Sequence, residues 1–200
     1  MTGNEAIARG ALEASVRVVA SYPGGPVTQI LENLAKVLKE FNVYAEWSTN
    51  EKVALEVGVG ASLAGQRALV SFKDVGLNSS FDTFMALSRC GLRAGLVLVV
   101  GQDGLTSPDM QDCRFGVEMA HNLALDPSDP REARDMTVDA FELSERLELP
   151  VVLMPNSTVC YMEGPLKLGT LPKTLRDPSF PFEPSSKYIS CGPTVLERLD

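Results

Sequence analysis

The feature that most constrains the fold is a regular alternation of short apolar runs with segments of helical periodicity. Six runs are typical of strands, at residues 17–22, 43–47, 67–72, 95–100, 123–125 and 150–154. Five consecutive apolar side chains in the fourth run are typical of a strand that is covered on both faces. Helical spacing separates most runs, at residues 27–41, 51–64, 79–89, 111–120 and 129–147. This order predicts an α/β protein with a doubly wound, mostly parallel six-stranded sheet and helices on both faces.

Prolines change the pattern beyond residue 155. They interrupt every later segment that is long enough for a helix, at Pro165, Pro172, Pro178, Pro181, Pro184 and Pro193. We therefore predict a folded domain in residues 1–155 and an extended, Pro-rich tail or linker in residues 156–200. Such a tail either wraps the domain or leads to a further domain.

Charge and composition argue against several classes of protein. The chain has 26 acidic and 18 basic residues, a net charge of −8, so it has no excess of cations for nucleic acid or an anionic membrane surface. We find no apolar run that is long enough to span a bilayer and no signal-peptide pattern at the N-terminus. The cysteines lack CxxC spacing and there is one histidine, so we expect no zinc, iron–sulfur or other metal site in this chain. Reduced thiols and a cytoplasmic location are the expectation.

The candidate ligand-binding residues lie in the loops that follow the strands, because open parallel sheets bind ligands beyond the carboxyl ends of their strands. Glu51 stands in the first helical turn after the second strand, where it either faces a ligand or only complements the helix dipole. Position alone does not decide between these alternatives. Arg114 lies in a long loop after the fourth strand, where it either binds a carboxylate or forms a surface ion pair.

The helix after Glu51 contains Gly58 and Gly60 and is followed by Gly65. Glycine inside a helix costs about 1 kcal/mol relative to alanine. We therefore expect a close approach at this helix, by another helix or by a partner subunit.

Several stretches match a known family. They are Thr-Gly-Asn-Glu at 2–5, Tyr-Pro-Gly at 22–24, Glu-Trp-Ser-Thr-Asn-Glu-Lys at 46–52, Val-Gly-Leu-Asn at 75–78, Gln-Asp-x-Arg-Phe at 111–115 and Asp-Pro-Ser-Asp-Pro at 126–130. The chain resembles the pyrimidine-binding domain of the thiamine-diphosphate-dependent 2-oxoacid:ferredoxin oxidoreductases. Among these it is most similar to the N-terminal domain of the alpha subunit of indolepyruvate ferredoxin oxidoreductases. The stretch at 46–52 is the most diagnostic.

The resemblance implies roles for particular residues. Glu51 is the implied catalytic residue, since a glutamate of this domain hydrogen-bonds the aminopyrimidine ring and helps to move a proton from the thiazolium carbon. The implied cofactor-binding residues are Tyr22, Pro23, Gly24, Gly25, Glu51, Gly76, Leu77 and Asn78. The implied substrate-binding residues are Gly25, Asp74 and Arg114. Gly25 stands where the family usually has threonine, and Asp74 stands where it usually has histidine.

The resemblance also implies a cofactor, partners and an activity. Thiamine diphosphate is shared with a diphosphate-binding domain or subunit that brings Mg²⁺, iron–sulfur clusters lie outside this chain, and ferredoxin receives the electrons indirectly. The implied assembly is a homo- or hetero-oligomer that oxidatively decarboxylates indolepyruvate or a related arylpyruvate. One alternative is a structural or regulatory subunit that has lost catalysis. A nucleotide-binding module of the same sheet class is a further alternative, which rests on topology alone.

Overall fold

A computed structural model describes residues 1–104, 108–172 and 188 of the chain. Six strands form one sheet in the order β2-β1-β3-β4-β6-β5, and every pairing is parallel. The strands are β1 Val18–Ser21, β2 Tyr44–Trp47, β3 Ala68–Lys73, β4 Leu96–Gly101, β5 Leu123–Leu125 and β6 Val151–Leu153. The predicted α/β class with a doubly wound, six-stranded sheet is confirmed. Most of the Pro-rich tail lies outside the described residues.

Nine helices occur within the described residues. They are α1 Gly3–Glu13, α2 Thr28–Ala35, α3 Leu38–Phe41, α4 Glu51–Leu63, α5 Gly76–Ser79, α6 Phe81–Cys90, α7 Arg114–Met119, α8 Pro130–Leu147 and α9 Ser157–Tyr161. One predicted helix is divided in two, so that residues 27–41 give α2 and α3. The helix predicted at 79–89 corresponds to α6, and the short helix α5 before it was not predicted. The helix predicted at 111–120 begins three residues later than expected. None of the helices that the structure describes is long and apolar enough to cross a bilayer.

Alternate residues of each strand face opposite sides of the sheet, as the pleat requires. One core lies between the sheet and α1, α2 and α8, and the strand residues that enter it include Val19, Leu69, Val97 and Val99. The other core lies between the sheet and α4 and α6, and it takes the alternating set that includes Ala20, Val70, Leu98 and Val100. All eight of these strand side chains are fully buried, which explains why the central strands are mostly apolar on both faces.

The strand order reverses beside β1. The chain passes from β1 to β2 on one side and then returns to β3 on the other side, so the carboxyl ends of β1 and β3 diverge into different crossovers. Ser21 pairs with Ser71 at this point, and their hydroxyl oxygens are 2.6 Å apart. A reversal of this kind leaves a crevice outside the strand ends, which is where open α/β sheets bind ligands.

The first part of the predicted tail packs on the domain. Val159 and Cys160 of α9 are buried in the core with α1 and α8, and Leu166 packs against the same core. Thr2 and Glu163 form an isolated antiparallel bridge. Residues 156–172 therefore cover the domain. The boundary at residue 155 stays a prediction.

Candidate functional site

The loop after β1 lies against the end of β3. The backbone N–H of Tyr22 donates to the carbonyl of Ser71 at 3.1 Å, which continues the sheet by one residue. A Cβ on Gly24 would lie 3.0 Å from Cβ of Lys73, so this position needs a residue with no side chain or a shift of its neighbour. The hydroxyl of Thr28 closes the loop, since it accepts from Gly24 N at 3.0 Å and donates to Gly24 O at 2.9 Å. The Gly25–Pro26 peptide is cis.

Glu51 begins α4 and reaches the end of β3. Asn50 caps the helix, since its Oδ1 accepts from the N–H of Val53 at 2.9 Å. The Glu51 side chain lies on Gly76, where a Cβ would be 2.5 Å from Glu51 Cγ and 2.9 Å from Oε1. Ser79 donates a hydrogen bond of 3.0 Å to Oε2 of Glu51. Two elements that are distant in sequence therefore fix this carboxylate at the reversal of strand order.

The two oxygens of the Glu51 carboxylate differ in their surroundings. Oε2 accepts from Ser79, whereas no described residue donates a hydrogen bond to Oε1. The residue is half-buried. A half-buried carboxylate with one oxygen held and the other available can accept a hydrogen bond from a heterocyclic nitrogen. These residues therefore fit the edge of an aminopyrimidine.

Asp74 is fully buried rather than open to a ligand. Its Oδ1 accepts from the N–H of Val75 at 2.8 Å, and its Oδ2 accepts from the N–H of Gln111 at 3.2 Å. The Asp74 carbonyl also accepts from the Gln111 side-chain amide at 3.1 Å and from the Cys113 thiol at 3.3 Å. In this arrangement Asp74 ties the loop after β4 to the end of β3. Its predicted contact with substrate stays a prediction.

Gln111 is a site residue that sequence reasoning did not single out. It exchanges side-chain hydrogen bonds with Asn78, of 2.8 Å from Asn78 Nδ2 and 3.1 Å from Gln111 Nε2. Asn78 lies in α5, beside the glycine that meets Glu51. A continuous set of contacts thus leads from Glu51 through α5 to the loop that carries Arg114. A glutamine in a loop has no sequence signal of its own, and Gln111 appeared only within a motif of the family resemblance.

Arg114 is exposed and paired with Asp112. Its Nε donates to Asp112 Oδ1 at 2.9 Å and its Nη2 donates to Oδ2 at 2.7 Å. These hydrogen bonds lower the pKa of Asp112 and raise the pKa of Arg114. The surface ion pair that was one alternative for Arg114 is therefore present. A guanidinium has five donors, so the pair does not prevent Arg114 from binding a ligand carboxylate as well.

Asp112 and Arg114 line a cleft of about 250 Å³ at the carboxyl ends of β4, β5 and β6. Its other described lining residues are Gln102, Met110, Gln111, Asp126, Met154 and Asn156. A second cleft, of about 220 Å³, is lined by Gln111 and by residues of α5, α6 and α7. Gln111 therefore stands between the cleft that holds Arg114 and the elements near Glu51.

Residues 9–195 match the family described as "Pyruvate flavodoxin/ferredoxin oxidoreductase, thiamine diP-bdg". The chain belongs to this family. The resemblance inferred from the motifs is therefore confirmed, and the reversal of strand order around Glu51 lies within a thiamine-diphosphate-binding domain.

Two curated members of this family are indolepyruvate oxidoreductase subunits IorA. The subunit of Pyrococcus horikoshii is 42% identical over 179 residues, which are 88% of this chain and 28% of that protein. The subunit of Thermococcus kodakarensis is 41% identical over an alignment of 213 residues, which covers 100% of this chain and 33% of that protein. The chain thus spans about a third or less of the length of these relatives.

A solved structure shares the fold. The chain aligns with a 2-oxoglutarate:ferredoxin oxidoreductase from Magnetococcus marinus with a TM-score of 0.74 and 21% sequence identity, over 80% of this chain and 30% of that one. The likeness confirms the sheet architecture predicted for this thiamine-diphosphate-binding domain.

Gly58 of α4 has a different reason from the expected one. Gly58 faces the sheet, and a Cβ there would overlap with Val70 of β3 and touch Leu96 of β4. Gly60 faces open space, with no described atom within 4 Å of a Cβ built on it. The close approach at Gly58 is therefore made by sheet side chains of the same domain.

Proposed function

We propose that this chain binds the aminopyrimidine half of thiamine diphosphate in a 2-oxoacid:ferredoxin oxidoreductase, while another domain or subunit holds the diphosphate with Mg²⁺. The observation that carries this proposal is the contact between Glu51 and Gly76 at the reversal of strand order, where no described residue donates a hydrogen bond to Oε1 of Glu51. The family to which the chain belongs is a thiamine-diphosphate-binding one.

Glu51 is the proposed catalytic residue. Its Oε1 would share a proton with the pyrimidine ring nitrogen and would accept a hydrogen bond from that nitrogen in its protonated form, while Ser79 keeps Oε2 in place at 3.0 Å. Such a carboxylate can hold or release a proton at this ring, and positioned groups of this kind contribute about 10²–10⁴ in rate. Bound thiamine diphosphate supplies the electron sink that decarboxylation of a 2-oxoacid requires.

The other proposed cofactor contacts lie on two loops. Residues 22–25 follow β1, and Gly76, Leu77 and Asn78 follow β3, so both loops border the crevice outside the strand ends. Leu77 is buried and supports α5, whereas Asn78 is exposed. Gly25 has no side chain, so a flat heterocycle can approach the backbone there, whereas Gly24 and Gly76 make room for Lys73 and Glu51.

Arg114 is the proposed carboxylate anchor for the substrate, since its Nη1 has no acceptor among the described residues. Met110 and Met154 line the same cleft and offer apolar surface to an arylpyruvate side chain. Indolepyruvate is proposed because the relatives of highest identity that we report are indolepyruvate oxidoreductase subunits. Gly25 lies in the loop after β1, which borders the crevice outside the strand ends. Asp74 contributes indirectly, because it holds Gln111, which lines the cleft of Arg114.

The proposed partners follow from the length of the relatives. A chain that spans about a third of an indolepyruvate oxidoreductase subunit needs further domains for diphosphate, Mg²⁺ and iron–sulfur clusters. We propose that a cytoplasmic oligomer supplies them and passes electrons to ferredoxin.

The test is a calorimetric titration of thiamine diphosphate and Mg²⁺ into the chain mixed with its diphosphate-binding partner. Glu51→Gln should weaken binding at least tenfold, because the amide cannot take up a proton at the ring. Glu56→Gln is the matched control, since Glu56 lies on the exposed side of the same helix. Equal affinity in wild type and Glu51→Gln would reject the role of Glu51.

A structural or regulatory subunit is the second candidate. Two of the three predicted substrate-binding residues offer no free side chain, because Gly25 has none and the Asp74 carboxylate is buried on backbone amides. Binding of thiamine diphosphate without turnover of any 2-oxoacid would favour this candidate.

A further inference from the structure

The cleft beside Arg114 has an excess of negative charge, and the proposed function gives this charge no role. Asp112 and Asp126 both line it, and Arg114 is the only cation among its described lining residues. Its remaining lining residues are thioethers and neutral amides. The described lining residues therefore carry a formal net charge of −1 before a ligand binds.

Asp112 holds only one edge of the Arg114 guanidinium. Nε and Nη2 donate to the Asp112 carboxylate, at 2.9 and 2.7 Å, and the Arg114 N–H also donates to Oδ1 at 3.0 Å. No described residue accepts from Nη1. The Nη1–Nη2 edge can thus take one further carboxylate in a parallel, bidentate pair.

The charges of Asp112 and Arg114 also affect Asp126, which lies on another element. Partial burial raises the pKa of Asp126, the positive charge of Arg114 lowers it and the negative charge of Asp112 raises it. Asp126 follows β5, whereas Asp112 and Arg114 follow β4. Two carboxylates on different loops therefore act on the space around one guanidinium.

We infer that Asp112 and Asp126 restrict this cleft to 2-oxoacids with a single carboxylate and an uncharged side chain. Arg114 binds the first carboxylate of the ligand, and a second carboxylate meets the like charges of Asp112 and Asp126, which line the same cleft. Repulsion of this kind produces specificity without a new attractive contact. Asp112 is also a positioning residue, since it fixes the edge that Arg114 presents. The inference rests on the proposed function.

The test compares two acids that lack the 2-oxo group and cannot react. Phenylpropionate carries one carboxylate and glutarate carries two. Each is titrated by calorimetry into the complex of the chain with its partner, thiamine diphosphate and Mg²⁺. In Asp126→Asn and in Asp112→Asn, glutarate affinity should rise about tenfold relative to phenylpropionate affinity, as expected for the loss of one like-charge repulsion near a protein surface.

Two further variants separate charge from position. Glu118→Gln removes one negative charge from the exposed surface of α7, outside the described cleft lining, and should leave the ratio of the two affinities within about twofold. Asp112→Ala has the same charge as Asp112→Asn but cannot accept a hydrogen bond from Arg114. It should bind phenylpropionate about threefold to tenfold more weakly than Asp112→Asn does.

The outcomes distinguish the inference from the proposed function. An unchanged ratio in both Asn variants, with thiamine diphosphate still bound, would overturn the inference and leave the proposed function in place. Failure of the wild-type complex to bind thiamine diphosphate would overturn the proposed function and the inference with it. A shift in both Asn variants but not in Glu118→Gln supports the inference.

Discussion

Gly76 and Glu51 are in contact across the reversal of strand order, and a Cβ on Gly76 would lie 2.5 Å from Cγ of Glu51. The position of the Glu51 carboxylate therefore requires that residue 76 in α5 has no side chain. This contact brings together one residue that follows β2 and one that follows β3, which is how the fold builds a site from two crossovers.

Gly76→Ala should displace Glu51 and weaken thiamine diphosphate binding. The added methyl group meets Cγ and Oε1 of Glu51, so the carboxylate has to leave its place beside Ser79. We expect at least a tenfold loss of affinity, which corresponds to about 1.4 kcal/mol, measured by calorimetry in the presence of the diphosphate-binding partner.

The control is Gly60→Ala in α4, where a Cβ meets no described atom within 4 Å. It should leave cofactor affinity unchanged and raise the free energy of unfolding by about 0.5–1 kcal/mol, because alanine favours a helix more than glycine does. Equal cofactor affinities in Gly76→Ala and Gly60→Ala would contradict the steric account.

Asp74→Ala should destabilise the domain. The substitution leaves the partly buried N–H groups of Val75 and Gln111 without their acceptor. We expect the free energy of unfolding to fall by about 2–3 kcal/mol, measured by urea denaturation. Asp82→Ala removes a carboxylate whose side chain is 90% exposed, and it should change stability by less than about 0.5 kcal/mol. Similar losses in both variants would show that the buried hydrogen bonds of Asp74 are not the cause.

Glu13 holds the segment after β6 on the domain. Its side chain is only 4% exposed, lies 2.7 Å from the nitrogen atoms of both Arg9 and Arg134, and accepts from Gly169 N at 2.8 Å. Glu13→Gln should lower the free energy of unfolding by about 2–3 kcal/mol, since it leaves the partly buried Arg9 without its carboxylate partner and leaves Arg134 with Asp135 alone. Limited proteolysis should then cut near residue 169 faster than in wild type, while the exposed control Glu32→Gln is cut at the wild-type rate.

Stability should fall as the pH rises above about 9, and Cys160 should contribute to the fall. Burial raises the pKa of the Cys160 thiol to about 12. Between the unfolded pKa and this value the unfolded chain loses the proton while the folded chain keeps it, so the unfolded state is favoured. The slope of unfolding free energy between pH 8 and pH 10 should be steeper in wild type than in Cys160→Ala, by up to about 1 kcal/mol per pH unit. Parallel slopes would mean that Cys160 is ionised or exposed in the folded protein.

The central strands β3, β4 and β6 were predictable because they are buried on both faces, so that they form apolar runs in the sequence. The helix caps Asn50 and Asp129 could also be predicted from the sequence, because both are residue types that cap helices. Each side chain accepts a hydrogen bond from a backbone N–H three residues later. The helix α1 was not assigned from the sequence, although Thr2 and Glu5 form a capping box that could have indicated it.

The boundaries that the sequence did not predict depend on long-range hydrogen bonds. α7 begins at Arg114 rather than at residue 111, and the loop before it is held by Gln111, whose N–H donates to Asp74, 37 residues earlier. The break between α5 and α6 coincides with Ser80, whose hydroxyl donates to the carbonyls of Gly76 and Leu77. No local pattern reveals such partners.

The same limit applies to the site. The sequence alone places Glu51 and the loops after β1 and β3 at one edge of the sheet, because each follows the carboxyl end of a predicted parallel strand. The contact of Glu51 with Gly76, the exchange between Asn78 and Gln111 and the burial of Asp74 each needed the folded structure.

The most direct test of the account is the rate at which the thiazolium C2 proton of bound thiamine diphosphate exchanges with deuterium. It is measured by quenched-flow NMR on the complex of the chain with its diphosphate-binding partner, at saturating cofactor. If Glu51 moves a proton at the pyrimidine ring, exchange in Glu51→Gln should be slower than in wild type by about 10²–10⁴, while Glu56→Gln exchanges at the wild-type rate. Equal exchange rates in wild type and Glu51→Gln, with cofactor bound in both, would contradict the account.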